Sequence, residues 1–326
     1  MPLSPSLQTL YADLVQQVLD RQAKAGSVYT QKNGGAAFLY ARRTVGTVRI
    51  DEYLGPASDP DVIARAALIR QEQALARQRR KTVSALKRSG VPAPNLPLGR
   101  VLDVMSDAGL FDSGVLVGTA AYQCYSPLIG VALPSATLMT QDADFATAEL
   151  AIAANDGQAT MLDILQRADP SFRALPGLKP KAPPVSFRSA DGFRVDMLTP
   201  IYRRSDTNPM PLPKLAAGAT TLQYLSWLIA EHVPAVVLSG SGILIKVPSP
   251  ARFAVHKLII AQRRRVDERL KRQKDLLQAK ALMSALRETD PEPLKSALRS
   301  ARALGKDGWS DPIRQSMAEI GVKTDR

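Results

Sequence analysis

Residues 115–140 contain no charged side chain, a run longer than the roughly 20 residues a helix needs to cross a bilayer. The same run holds Gly118, Pro127, Gly130 and Pro134, and it is bracketed by Asp112 and Asp142 rather than by basic residues. Two prolines and two glycines break a spanning helix. The run therefore reads as a strand, a turn, a short helix, a loop and the approach to a second strand, and no membrane association is expected. The N-terminal segment carries Asp13 and Asp20 and mixes polar with apolar residues, so no secretory signal is expected there.

The remaining composition narrows the class. A chain of 326 residues with 45% hydrophobic and 22% charged residues can bury a core, and its length suggests about two domains. One cysteine, Cys124, rules out a disulfide framework and a cysteine-based zinc site; it fits a cytoplasmic location. Two histidines, His232 and His256, leave little for a histidine metal centre. The net charge of +13 favours anionic partners.

Periodicity predicts a helix within residues 1–25, with Leu7, Leu10, Tyr11, Leu14 and Val18 at helical spacing. A hairpin follows around Asn33-Gly34-Gly35, then a third strand over residues 44–53. Ser58 or Asp59 caps a helix with Pro60 at its first position, running to about Ser89 and basic in its second half. The proline-rich stretch 90–97 is the best boundary. Three regions are expected: an N-terminal hairpin and basic helix (1–95), an α/β core (96–250) and a basic helical C-terminal region (251–326). Within the core, strands are expected at 113–117, 140–145 and 193–198, with a hairpin over 234–247. One long helix, or two end to end, should cover 251–288, and a helical segment that packs poorly by pattern should cover 293–320.

The chemistry concentrates in Gly118-Thr119, Asp142-Ala143-Asp144 and Asp196. Residues two apart on a strand share a face, so Asp142 and Asp144 can converge on one cation. Side-by-side carboxylates repel unless a metal neutralises them. Mg²⁺ suits such a set, because it takes a few carboxylates together with phosphate oxygens. Gly118 permits close approach of a phosphate, and Thr119 offers a hydroxyl and an amide. A solvated strand end with turn-forming aspartates is the plainer reading of the triplet. Asp59-Pro60-Asp61 repeats the spacing at a helix start, where acidic residues simply favour the helix dipole.

These residues resemble the signature of the nucleotidyltransferase fold shared with DNA polymerase β, in which a Gly-Ser or Gly-Thr pair opens a helix, an Asp-x-Asp follows on the next strand and a later strand brings a third Asp. The stretches 116–122, 140–145 and 195–200, the hairpin ending Tyr53-Leu-Gly-Pro56 and the helix starting at Pro250 resemble a little-characterised bacterial branch. The resemblance implies an α+β fold, a mixed sheet with flanking helices. It also implies a Mg²⁺-dependent transfer of a nucleoside monophosphate from an NTP to an acceptor hydroxyl on RNA or tRNA, protein or a small molecule. In that reading Asp142 and Asp144 hold the metal ions, while Asp196 shares the catalytic metal and helps deprotonate the acceptor. Gly118, Thr119, Lys257 and Arg264 meet the nucleotide. The spacing of Lys257, Arg264 and Lys271 on one expected helix further resembles toxin-type members; a solvated basic face explains it as well. A non-catalytic nucleic-acid-binding protein on the same fold is the alternative. Other features read as structural: Cys124 as a buried thiol, His256 as a packed side chain, and Tyr224 with Trp227 as core. The basic run 77–88 is either an RNA-contact surface or a solubilising face.

Overall fold

The computed structural model describes residues 1–134, 142–147, 159–177, 182–201 and 209–322. Helix α1 (Pro5–Leu19) starts where Ser4 accepts from the Leu7 amide and buries Tyr11, Leu14 and Val18, the spacing anticipated from sequence. Strands β1 (Ser27–Asn33), β2 (Ala36–Val45) and β3 (Val48–Pro56) form an antiparallel sheet. The third strand starts later than residue 44 because Gly46, at φ +61°, turns the chain there. A Cβ at Gly46 would meet the Arg167 carbonyl oxygen at 2.2 Å, so the turn docks tightly on the end of the helix that contains Arg167. One face of the sheet buries Leu39, Ala41 and Leu54 against Val62, Ala66 and Ile69 of α2 (Pro60–Arg88). The other carries Tyr29, Tyr40 and Tyr53 in cross-strand contact, with ring centroids 5.5 and 5.2 Å apart. Asp59 caps α2 through the Asp61 amide at 2.9 Å. Within the basic half of α2, Arg79 is not a solvated residue: it is buried and paired with Glu72.

Helix α3 (Leu96–Asp107), capped by Asn95, leads into the central sheet. Its strands are β4 (Gly114–Val117), β5 (Asp142–Thr147), β6 (Arg173–Ala174), β7 (Ser186–Arg188), β8 (Arg194–Pro200), β9 (Met210–Leu212) and β10 (Ala217–Leu222). The order is β4-β5-β8-β10-β9, with β7 beside the first half of β8 and β6 beside β7. Pairing is antiparallel for β4–β5 and β9–β10 and parallel for β5–β8 and β8–β10. The sheet is mixed and flanked by helices, consistent with the expected α+β fold. The uncharged run is not one helix: over its described part it forms β4, α4 (Gly118–Tyr122) and α5 (Tyr125–Ile129). Residues 135–141, including the expected strand start at 140–141, lie outside the described residues. No helix among the described residues is long and apolar enough to cross a membrane. Helix α6 (Met161–Ala168) begins with a Thr160–Asp163 capping box. Helix α7 (Leu225–Ile229) precedes the hairpin of β11 (His232–Val237) and β12 (Ile243–Pro248).

The C-terminal region differs from expectation in two ways. Helix α8 (Pro250–Ala261) and α9 (Arg269–Thr289) do not run end to end. The chain reverses over residues 262–268, and Lys257 meets Asp275 across an antiparallel helix pair. Lys257, Arg264 and Lys271 therefore share no helix face: Lys271 is exposed and pairs with Glu268. Nor does the last region pack poorly. Leu294, Ala297, Leu298 and Ala301 of α10 (Pro291–Ala303), with Ile313 and Met317 of α11 (Asp311–Glu319), are buried in the main core. Their i, i+3, i+4, i+7 spacing gives α10 a full apolar stripe once its alanines are counted.

Candidate active site

The alternation of β5 and its parallel register with β8 decide which side chains meet. Asp142 and Asp144 lie on one face of β5, and Asp144 is the register partner of Asp196 on β8 and of Val117 on β4. Immediately after Val117 the chain turns at Gly118, whose φ of +68° is the left-handed region. A Cβ there would sit 2.2 Å from Asp144 Oδ2. Only glycine lets the first turn of α4 settle against that carboxylate.

Burial, then the neighbouring Asp142 and Asp196, push the Asp144 carboxyl up to about 7, against the opposing pull of Lys257 and Arg194. Asp196 has local partners: its Oδ1 accepts from Arg194 Nε at 2.8 Å and from the Ser186 hydroxyl. Asp142 is exposed at the start of β5. The charge of Lys274, on α9, interacts with it.

Opposite the strand ends stands a cationic group on the helix pair. Lys257 is only 8% exposed. Its Nζ donates to Asp275 Oδ1 at 2.6 Å, and Arg264 Nε donates to Oδ2 of the same carboxylate at 2.9 Å. Asp275 is thus a buried hub that fixes two cations of different elements. Phe253, one turn before Lys257, packs on Tyr122 and Tyr125 with centroids 5.9 and 5.1 Å apart. Those contacts tie α8 to the α4–α5 segment that Gly118 opens.

Between the two groups lies a cleft of about 430 Å³ lined by Gly118, Asp144, Tyr224, Lys257, Arg263 and Arg264, among others. Four residues singled out from sequence thus converge: Gly118, Asp144, Lys257 and Arg264. Asp142, Asp196 and Thr119 do not line the cleft itself. Sequence reasoning gave Asp275 and Arg263 no place in the site, and it read Tyr224 as core, against which the side chain does pack. Tyr224 also lines the cleft: it adopts φ +66° at the start of α7, with Arg263 over its ring at 5.8 Å and the Trp309 ring in a T-shaped contact with it, centroids 4.9 Å apart. His256 also lines the cleft. Burial, and next Lys257, press its pKa down to about 3, so it is neutral near pH 7.

Among the described residues no group of three or more His, Cys, Asp or Glu side chains is gathered closely enough to hold a metal ion. The donor chemistry nevertheless fits a hard divalent cation. Asp142, Asp144 and Asp196 supply oxygen donors on neighbouring strand ends, and a cation there would offset the burial and the mutual repulsion that raise the Asp144 pKa. Asp196 would have to exchange Arg194 and Ser186 for the ion.

A family model described as nucleotidyltransferase matches residues 97–303, from the first turn of α3 to the last residue of α10. No curated protein and no solved structure matches the chain.

Proposed function

The chain belongs to the nucleotidyltransferase family, and from that premise we propose that it moves the nucleoside monophosphate of an NTP onto an acceptor hydroxyl in a Mg²⁺-dependent reaction. One observation carries the reading: Gly118, Asp144, Lys257 and Arg264 line a single cleft, so carboxylate and cations border one space that a triphosphate can enter. Asp142 and Asp144 would hold the metal, with Asp196 completing the set. When bound, Mg²⁺ neutralises phosphate charge and polarises the phosphorus–oxygen bonds.

The protein's own residues divide the remaining work. Lys257 and Arg264, already oriented by Asp275, receive the charge of the triphosphate. The Gly118 backbone gives the phosphates close approach, and the Thr119 hydroxyl and amide add donors beside it. Tyr224, with Arg263 over its ring, offers an aromatic face to the base. Asp196 takes the proton of the acceptor hydroxyl, whose oxygen forms a bond to the α-phosphorus as the bond to the pyrophosphate oxygen breaks. A location in the cytoplasm agrees with the buried, unpaired Cys124.

The acceptor is found by offering the protein each α-labelled NTP with Mg²⁺ and, in turn, total RNA, cell protein and small metabolites. Label is expected in one of these fractions and in none when EDTA is added. A toxin role adds a second readout: expression of the wild-type chain arrests growth, and expression of an inactive variant does not. Persistent label in EDTA contradicts the metal-dependent scheme.

Gly118→Ala tests the close approach. The left-handed backbone costs an alanine about 1–2 kcal/mol, and Asp144 must shift away from the new methyl group. Turnover is expected to fall by about tenfold or more, with a modest loss in melting temperature. Wild-type turnover would show that the Gly118–Asp144 contact plays no part.

A further inference from the structure

A second cavity, of about 250 Å³, lies where the end of the α1 segment, the β2–β3 turn, α2, α3 and the β11–β12 turn meet. It shares no lining residue with the cleft. Arg21, Lys24, Arg43, Arg80 and Arg100 line it, together with Asp103 and Asp107. The two carboxylates are already engaged. Asp107 pairs with Lys24 at 3.1 Å and with Arg43. Asp103 accepts the Gly46 amide at 3.2 Å, and burial and then Asp107 favour its protonated form.

What remains is a surplus of donors. Arg21, Arg80 and Arg100 are exposed and make no ion pair or hydrogen bond among the described residues. Arg43 Nε is buried with no acceptor. The backbone amides of Gly240 and Ser241, in the Ser239-Gly240-Ser241-Gly242 turn, likewise donate no hydrogen bond among the described residues. That turn is anchored by the buried Arg79, whose Nε donates to the Ser241 carbonyl at 3.3 Å while its other end pairs with Glu72. An anion is the partner that satisfies such a set. A phosphate group fits better than a single carboxylate, because three guanidinium groups that make no ion pair call for more than one negative charge. We infer that this cavity is a second anion site that binds a phosphate-bearing ligand, either a free polyphosphate or the phosphodiester backbone of an RNA.

Two probes separate those sources: inorganic tripolyphosphate and an unstructured oligouridylate. Both are titrated in EDTA, which removes metal-dependent binding at the cleft. The variant Arg21→Gln/Arg80→Gln/Arg100→Gln changes only exposed side chains, and a thermal melt checks that it folds. It is expected to bind at least one probe about tenfold or more weakly than wild type and, for the oligouridylate, with a shallower salt dependence. The charge-matched variant Arg173→Gln/Lys214→Gln/Lys280→Gln, at exposed positions outside the cavity, should bind as wild type does. Loss with tripolyphosphate identifies a free polyphosphate as ligand, and loss with oligouridylate alone identifies the RNA backbone. The site is refuted if neither probe binds wild type, or if the cavity variant and the charge-matched variant bind equally well.

Discussion

Asp144→Asn is expected to lower nucleotidyl transfer by about a thousandfold or more while stabilising the metal-free protein at alkaline pH. The first effect follows from removing one oxygen charge among those that would hold Mg²⁺. The second follows from where the carboxyl sits. Burial and two neighbouring carboxylates raise its pKa from the ordinary 3.8 to about 7. Between those values the folded protein keeps a proton that the unfolded chain has lost. Stability therefore falls as pH rises through that window, at up to about 1.4 kcal/mol per unit. The Asn side chain has nothing to ionise and escapes the penalty. In EDTA, the melting temperature of wild type should decline from pH 5 to pH 8 relative to that of Asp144→Asn, and the gap should close toward pH 4. Parallel curves would contradict the strained-carboxylate picture. Asp59→Asn serves as the control: the N-cap is kept, at a cost of at most about 1 kcal/mol, and turnover is unchanged.

The largest loss of stability is expected at Asp275. Burial pushes its carboxyl up, but Lys257 and Arg264 overcome that and hold it below the usual range. Removing the carboxylate leaves the ammonium of Lys257, 8% exposed, without its counter-charge. Breaking a buried pair in this way costs about 3–5 kcal/mol. Asp275→Ala should therefore show a large drop in urea midpoint. Assayed well below its melting temperature, it should also lose turnover, because Lys257 and Arg264 no longer hold their positions across from Asp144. A midpoint within experimental error of wild type would mean that the hub contributes nothing net. The carboxylate's contribution is also pH-dependent: it is full above the ordinary carboxylate pKa and is lost as pH falls through the lowered one.

The contrast between Asp144 and Asp275 explains what could be read in advance. Gly118 and Asp144 sit in short strand-and-turn segments whose alternation and glycine dictate geometry locally. Their meeting was legible because it needs only adjacent strands. Lys257 was legible through Phe253 and Leu258, which anchor its helix. Asp275 was not, because its role depends on a chain reversal at residues 262–268, a Gln-Arg-Arg-Arg-Val-Asp-Glu stretch without glycine or proline. Most of these residues favour continued helix, and the pairing of Lys257 and Arg264 with Asp275 spans the reversal without a local signal for it. The turn at Gly46 was hidden similarly, within a run of β-forming residues. Tyr224 packs against the core, as its helical spacing to Trp227 suggests, but its left-handed backbone at the start of α7 also gives it a place in the cleft wall.

A paired isotope assay addresses the nucleotidyl-transfer claim most directly. The protein is incubated with Mg²⁺ and acceptor fractions, once with NTP labelled at the α-phosphate and once with NTP labelled at the γ-phosphate. Transfer of a nucleoside monophosphate puts α-label on the acceptor and leaves γ-label in pyrophosphate, and both signals should vanish with Asp144→Asn. Label from the γ-phosphate on the acceptor, or α-label transfer that survives in Asp144→Asn, would contradict the account.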